Sequence, residues 1–217
     1  MTDRLFSSLE YKIAPVAPGC PIPTIIQHVR AATIDVCERT LLWRFEQEYI
    51  TLTAGVYEYD YDTPSGTAVA AVIHARVGDN PLTPMTQEAV HLRYPDWPST
   101  DVAKRGTPRI VTQFNPDQFC LVPIPDGDET YNTVMFLALK PTLEATAMDK
   151  RFFDDAEPLI LHGALHTLLA LPNKSWSSME LSAFHAKQYA YKTGLQRAKA
   201  NIGMARASLT VRPQPFS

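Results

Sequence analysis

The sequence of 217 residues lacks the glycine motifs that nucleotide-binding and hydrolytic enzymes use. It contains nine glycines, and none of them belongs to a Gly-x-x-x-x-Gly-Lys-Ser/Thr loop or a Gly-x-Gly-x-x-Gly turn, the two motifs that cradle phosphate groups. A Gly-x-Ser-x-Gly nucleophile elbow is also missing. These absences exclude the commonest phosphate-binding loops and the α/β-hydrolase nucleophile as explanations of function.

Cysteine is scarce, and long hydrophobic runs are absent. The three cysteines, Cys20, Cys37 and Cys120, are odd in number and form no Cys-x-x-Cys pair, so we expect free thiols in a reducing cytosol. No apolar run approaches the ~20 residues that span a bilayer. The first ten residues carry charges instead of an apolar signal core, so we expect neither membrane association nor secretion.

Acidic residues are missing from the C-terminal part of the chain. No Asp or Glu follows Glu180, although the net charge of the whole chain is −3. We predict either a solvated helix face or a basic face that meets an acidic protein partner or DNA. The residues of this basic face are Lys187, Lys192, Arg197 and Lys199.

Helix and strand patterns follow one another in a clear order along the chain. Pro18, Pro21 and Pro23 indicate an extended lead-in over residues 1–23, and a Thr24–Gln27 capping box predicts a helix over 24–43. A region rich in β-branched and aromatic residues extends over about 45–140. Its last three apolar runs, which begin near residues 109, 118 and 131, predict an antiparallel meander because short turns separate them.

The C-terminal third reads as two helices followed by a tail. Leucine-rich periodicity predicts a buried helix over 152–171, and a Ser177–Glu180 capping box begins a second helix over 177–205. The second helix has one apolar stripe, formed by Leu181, Phe184, Tyr191, Leu195, Ala198 and Ile202. Residues 207–217 are expected to be extended. The fold class is therefore α+β, with a long N-terminal helix, a C-terminal helix pair and an inserted antiparallel β-subdomain, in a single domain over 1–217.

Two histidines have the spacing of zinc ligands on a helix. His162 and His166 stand at i and i+4, but Gly163 occupies the position where a metalloprotease needs its glutamate. A third ligand, such as His185, would have to come from a distant part of the chain. We therefore favour helix packing over a metal-dependent enzyme, and we predict neither a catalytic residue nor a cofactor or metal ligand.

An aromatic cluster offers a second candidate site. Trp43, Phe45, Tyr49, Tyr57, Tyr59 and Tyr61 lie close together in the sequence. Such rings stack on single-stranded nucleic acid in some proteins. Acidic neighbours such as Glu58 and Asp60 would repel phosphate, so a sheet face or a subunit interface is favoured.

A series of short segments resembles the head-to-tail connector (adaptor) proteins of tailed bacteriophages. It includes Cys-Glu-Arg-Thr-Leu-Leu-Trp-Arg at 37–44 and Tyr-Pro-Asp-Trp at 94–97. The other segments are 16–21, 59–69, 106–108, 121–126, 160–165 and 172–176. Their order from about residue 15 to 205 is similar to that of the head-completion adaptors and tail-tube-top proteins that dock on the portal.

The resemblance implies a structural virion protein, not an enzyme. Such adaptors form a ring, usually of twelve copies, beneath the portal, and the ring binds the portal and a downstream tail or neck protein. Double-stranded DNA passes through its lumen without sequence recognition. The implied location is the virion neck, with assembly in the host cytoplasm, and a tail terminator or collar component is the alternative. The hypothetical portal-contacting tail is Val211, Arg212, Pro213, Gln214, Pro215, Phe216 and Ser217.

Overall fold

In a computed structural model the chain forms two compact units. One unit combines Met1–Leu42 with Thr146–Ser217, and the other is Trp43–Ala145, so the second is an insertion within the first. The structure describes residues 3–99, 101–127 and 133–202, without the side chains of 48–49 and 199–202. Helices dominate the first unit and strands the second. The predicted α+β class with long helices and a β-rich insert is confirmed.

The first unit is built on three long helices. These are α2 (Ile22–Thr40), α4 (Lys150–Leu169) and α5 (Met179–Ile202). Helix α4 packs against both of the others. Its buried residues include Leu159, Ile160 and Leu168, and their helical spacing gives α4 a broad apolar surface. Among the described helices, none combines the length and apolar character that a membrane crossing requires.

The lead-in is folded, which corrects the extended conformation predicted for residues 1–23. It contains strand β1 (Asp3–Leu5), a 3-10 turn (Phe6–Leu9) and the short helix α1 (Glu10–Ile13). Phe6, Leu9 and Ile13 are fully buried. Their spacing of three and four residues is helical. The prolines do not prevent this helical structure, because they all lie farther along the chain. Strand β1 pairs antiparallel with β9 (Ala147–Asp149).

Charged contacts hold the lead-in against α4. The Arg4 guanidinium lies 2.5 Å from an Asp154 carboxylate oxygen and 2.7 Å from one of Glu157. Lys12 pairs with the same Glu157 carboxylate. Burial opposes ionisation of Glu157, but Lys12 and Arg4 outweigh it and hold the pKa of this carboxyl below its usual range.

Both predicted capping boxes are wrong in detail. Helix α2 begins after Pro21 without a side-chain cap, and Pro23 lies in its first turn, where the fixed φ of proline suits a helix start. At α5 the Leu181 amide donates to the hydroxyl of Ser178 at 3.3 Å, so the cap lies one residue after Ser177. Ser177 instead accepts from the Lys174 amide in the preceding turn.

The second unit contains a curled seven-stranded sheet in the order β2-β8-β4-β5-β6-β7-β3. The strand bounds are β2 Arg44–Ile50, β3 Glu58–Asp60, β4 Thr67–Val77, β5 Asn80–Pro84, β6 Ile110–Thr112, β7 Gln118–Val122 and β8 Thr133–Pro141. Helix α3 (Gln87–Arg93) and a 3-10 turn (Val102–Lys104) lie between β5 and β6.

The sheet is not the simple antiparallel meander that the sequence predicted. Strands β6 and β7 pair as expected, but β8 pairs with β2 and β4 instead of β7. Strands β5 and β6 run parallel, because α3 and the turn that follows it carry the chain back to the same end of the sheet. One parallel pair therefore interrupts the predicted antiparallel insert.

Most of the aromatic cluster belongs to the core of the second unit. Trp43, Phe45, Tyr59 and Tyr61 pack against buried residues that include Phe119 and Leu137. Tyr59 stacks on Phe119 with ring centroids 5.6 Å apart. These four side chains are partly buried against the core, which agrees with packing in the sheet, the favoured alternative.

Candidate functional site

The helix pair α4–α5 carries the described histidines and basic residues that the sequence singled out as candidates. Helix α4 starts where the Asp149 carboxylate accepts hydrogen bonds from the amides of Arg151 and Phe152, at 2.9 and 3.2 Å. The two helices approach closely at Gly163, where a Cβ would lie 3.2 Å from the Tyr189 ring. Glycine in mid-helix costs roughly 1 kcal/mol relative to alanine, and here it makes room for a neighbouring ring.

His162 lies between a histidine and a lysine of α5. Its Nδ1 is 2.8 Å from Nδ1 of His185, and its Nε2 is 2.9 Å from Nζ of Lys192. An ammonium group can only donate, so Nε2 of His162 accepts and the ring carries its proton on Nδ1. That proton points at His185, whose own proton then lies on Nε2. The three side chains form one directed hydrogen-bond chain.

The surroundings of His162 disfavour its protonated form. Burial, the Lys192 ammonium and His185, in decreasing order, lower the pKa of His162 to about 4. Burial and then His166 lower the pKa of His185 as well. The cluster therefore holds neutral imidazoles at neutral pH, as packing groups between two helices do.

His166 is not directed at the same point as His162. Its Nδ1 lies 3.1 Å from the hydroxyl and 3.2 Å from the carbonyl oxygen of Ser182, which is buried. Within the described part of the chain, no three His, Cys, Asp or Glu side chains form a group that could hold a metal ion. The two histidines with zinc-ligand spacing thus fasten α4 to α5 at two separate points.

The predicted basic residues do not form one face. Lys187 and Arg197 are exposed, whereas Lys192 is half-buried against His162. At 3.6 residues per turn, Lys187 and Arg197 lie about 80° apart around α5, and Lys192 is about 140° from each. The side chain of Lys199 and the hypothetical tail, residues 211–217, lie outside the described residues.

The apolar stripe of α5 has the opposite orientation to that of a core helix. Phe184, Tyr191 and Leu195 are exposed, while Ser182 and Tyr189 are buried against the other helices. The buried side of α5 is the more polar one because its contacts are hydrogen bonds and a close approach, such as the 2.5 Å bond from the Tyr189 hydroxyl to Asp35. Hydrophobic periodicity located the stripe but could not tell which side faced the protein.

A cleft of about 260 Å³ in the second unit is the other concave feature that we considered. Tyr94, Trp97 and Pro123 line it, together with Lys104, whose ammonium forms an exposed ion pair with Asp96 at 2.8 Å. The Lys104 ammonium lowers the pKa of the Asp96 carboxyl. An exposed ion pair of this kind supplies neither an activated nucleophile nor a poised acid–base pair.

Comparison with known proteins identifies the family. No curated protein matches the chain. The model of the SU10 adaptor protein family matches residues 10–214, which spans the three long helices and the whole inserted sheet. The matched region has the α+β organisation expected from the phage connector resemblance. This chain belongs to the SU10 adaptor protein family and is a structural adaptor protein of a bacteriophage.

Proposed function

We propose that this protein forms a ring beneath the portal, joins the phage head to the tail, and leaves a lumen through which DNA passes. The observation that carries the proposal is the family match over residues 10–214. The proposed copy number is twelve, and the proposed partners are the portal on one side and a tail or neck protein on the other. Assembly would take place in the host cytoplasm before the ring becomes part of the virion neck.

The proposal extends to the C-terminal tail. We expect Val211, Arg212, Pro213, Gln214, Pro215, Phe216 and Ser217 to contact the portal after docking. Two prolines restrict the backbone of this segment, which reduces the conformational entropy lost when an extended chain binds. Phe216 would supply an apolar anchor and Arg212 a charged one.

Charge contributes a separate part of the proposal. The exposed Lys187 and Arg197 would face an acidic portal surface or the DNA. Contacts between exposed charges weaken as salt rises, because the Debye length falls from ~10 Å at 0.1 M to ~3 Å at 1 M. We place Lys192 in the helix packing instead, since its ammonium contacts His162.

Native mass spectrometry of the protein, alone and mixed with the portal of its own genome, tests the proposed function. We expect a ring-sized complex on the portal, lost when residues 211–217 are deleted and not restored when a Gly/Ser segment of equal length replaces them. A Lys187→Ala/Arg197→Ala variant should assemble with a weaker dependence on salt.

Other outcomes of this experiment would contradict separate parts of the proposal. Unchanged portal binding after the deletion would remove the tail from it, and an unchanged salt dependence would remove the two cations. A ring that binds a tail protein but ignores the portal would make the protein a terminator or collar component.

A further inference from the structure

The most exposed side of α5 alternates charged and aromatic side chains. Glu180, Phe184, Lys187 and Tyr191 follow one another at intervals of four, three and four residues, and all four are exposed. At 3.6 residues per turn they lie within about 60° of one another around the helix, so they form one line along it. We call these four residues the α5 line.

Apolar side chains border the α5 line. Leu181 and Leu195 are 43% and 46% exposed, and the rings of Phe184 and Tyr191 are 51% and 66% exposed. Intervals of three and four residues bring Leu181 beside Phe184 and Leu195 beside Tyr191. Exposed apolar side chains grouped in this way mark a surface that contacts another protein.

The order of the charges indicates a partner with the same sequence. In a parallel pair of α5 helices equivalent residues meet, so Glu180 would face Glu180 and Lys187 would face Lys187. In an antiparallel pair, Glu180 of each copy faces Lys187 of the other, and two attractive pairs replace two repulsive ones. Within the part of the chain that the structure describes, no ion pair joins either residue to a neighbour, so both charges are available for such a contact.

We infer that the α5 line of one copy packs antiparallel on the α5 line of a second copy. When Phe184 of both copies lies at the two-fold axis, Glu180 of each copy falls between Lys187 and Tyr191 of the other. The Glu180 carboxylate can only accept hydrogen bonds, and the Lys187 ammonium and the Tyr191 hydroxyl both donate. The overlap covers about 14 residues, or roughly 20 Å of helix.

This contact forms a dimer and not a ring. It is isologous, because the same surface serves both copies, so it closes after two copies and cannot continue around a ring. The inference therefore goes beyond the proposed function and does not rest on it. A stable interface buries ~800 Å² on each partner, and a single overlap of ~20 Å along one helix supplies less, so we expect a dimer that forms reversibly as the protein concentration rises.

A charge exchange within the α5 line tests the inference. Sedimentation equilibrium of the protein without the portal, from low micromolar to near-millimolar concentration, should show monomer and dimer. Glu180→Lys and Lys187→Glu should each weaken the dimer by about tenfold or more, because like charges then face each other. The double variant Glu180→Lys/Lys187→Glu should restore it, since each new cation again faces a carboxylate.

Arg197→Glu is the matched control for the single variants. It makes the same charge change on an exposed residue of α5, but it lies beyond the overlap and should leave the dimer unchanged. A natural protein that stays monomeric at every concentration would overturn the inference. A dimer that is unaffected by both single variants, or is equally weakened by Arg197→Glu, would overturn it as well.

Crosslinking tests the antiparallel orientation with two matched alanines. A Cys20→Ser background removes the half-exposed thiol and leaves the buried Cys37 and Cys120. There, Ala183→Cys should give crosslinked dimers with a short bis-maleimide, because residue 183 lies next to the two-fold axis. Ala198→Cys should give none, because its two copies would lie about 40 Å apart along the helices.

Both alanines are exposed on α5, so accessibility does not distinguish them. Crosslinked dimers from both cysteine variants would indicate a parallel pair, and none from Ala183→Cys would indicate a different surface. Either result would overturn the inference. Because these experiments omit the portal, they leave the test of the proposed function independent.

Discussion

At the scale of single residues, His162 makes the stability of the helix pair depend on pH. Its pKa of about 4 in the folded chain lies below the ~6.5 of an unfolded histidine. Between these values the unfolded state binds more protons, so folding stability is complete above pH 6.5 and falls as the pH drops toward 4. Full conversion of this difference gives about 3 kcal/mol, but the side chain is only partly buried and solvent screens its charge, so we expect a loss on the order of 2 kcal/mol from this group.

Denaturant unfolding at pH 7, 5.5 and 4.5 measures this effect. His162→Gln should flatten the fall in the free energy of unfolding, because the replaced side chain no longer titrates. Gln188→Ala, which removes a side chain that does not titrate from helix α5, is the control and should leave the fall unchanged. An equal slope for His162→Gln and the natural protein would show that His162 does not carry the pH dependence.

At the scale of elements, the approach of α2, α4 and α5 depends on one glycine. A Cβ at Gly163 would lie 3.2 Å from the Cβ of Ala32 and 3.2 Å from the Tyr189 ring. The first neighbour is fixed to the α2 backbone, and the Tyr189 hydroxyl is held by Asp35. We therefore expect Gly163→Ala to destabilise the protein by roughly 1–2 kcal/mol through overpacking.

Gly194 provides the matched control for this substitution, because it is also helical and nothing lies within 4 Å of its Cβ position. Gly194→Ala should stabilise the protein by up to ~1 kcal/mol through helix propensity. Thermal unfolding of both variants measures the difference. If Gly163→Ala stabilised the protein, α2 and α5 would be able to move apart around the added methyl group without a loss of stability.

The sequence predicted the three long helices better than it predicted the lead-in and the pairing of the strands. Periodicity found α2, α4 and α5 because each presents one side to a core over several turns. It missed α1, although Phe6, Leu9 and Ile13 have helical spacing, because the nearby prolines suggested an extended chain. The pairing of β8 with β2 and β4 was not predictable from runs adjacent in sequence, since neighbouring strands usually pair.

The candidate site was predictable as a set of residues but not as an arrangement. Sequence spacing identified His162 and His166 as a pair, yet their partners, Lys192 and Ser182, come from another helix whose rotation no local pattern fixes. The orientation of the apolar stripe of α5 was also not predictable from a local pattern. The exposed side of α5 is its more apolar side and the buried side makes hydrogen bonds, so hydrophobicity alone cannot identify the inward side.

At the scale of the whole molecule, the two units have separate cores. Phe153 is fully buried in the first unit and Phe119 is fully buried in the second. Replacing either residue by alanine should cost about 3–5 kcal/mol. Because buried contacts within a unit support one another more than those elsewhere, we expect each loss to appear in the unit that contains the substitution.

Hydrogen exchange of the two matched variants measures where the loss appears. Phe119→Ala should accelerate amide exchange in β4, β7 and β8 and leave the protection of α5 as it is in the natural protein. Phe153→Ala should accelerate exchange in α4 and α5 while the sheet stays protected. Faster exchange throughout the chain in both variants would show a single cooperative unit. Protection of α5 in Phe119→Ala would mean that the exposed apolar stripe of α5 keeps its backbone structure when the inserted sheet is weakened.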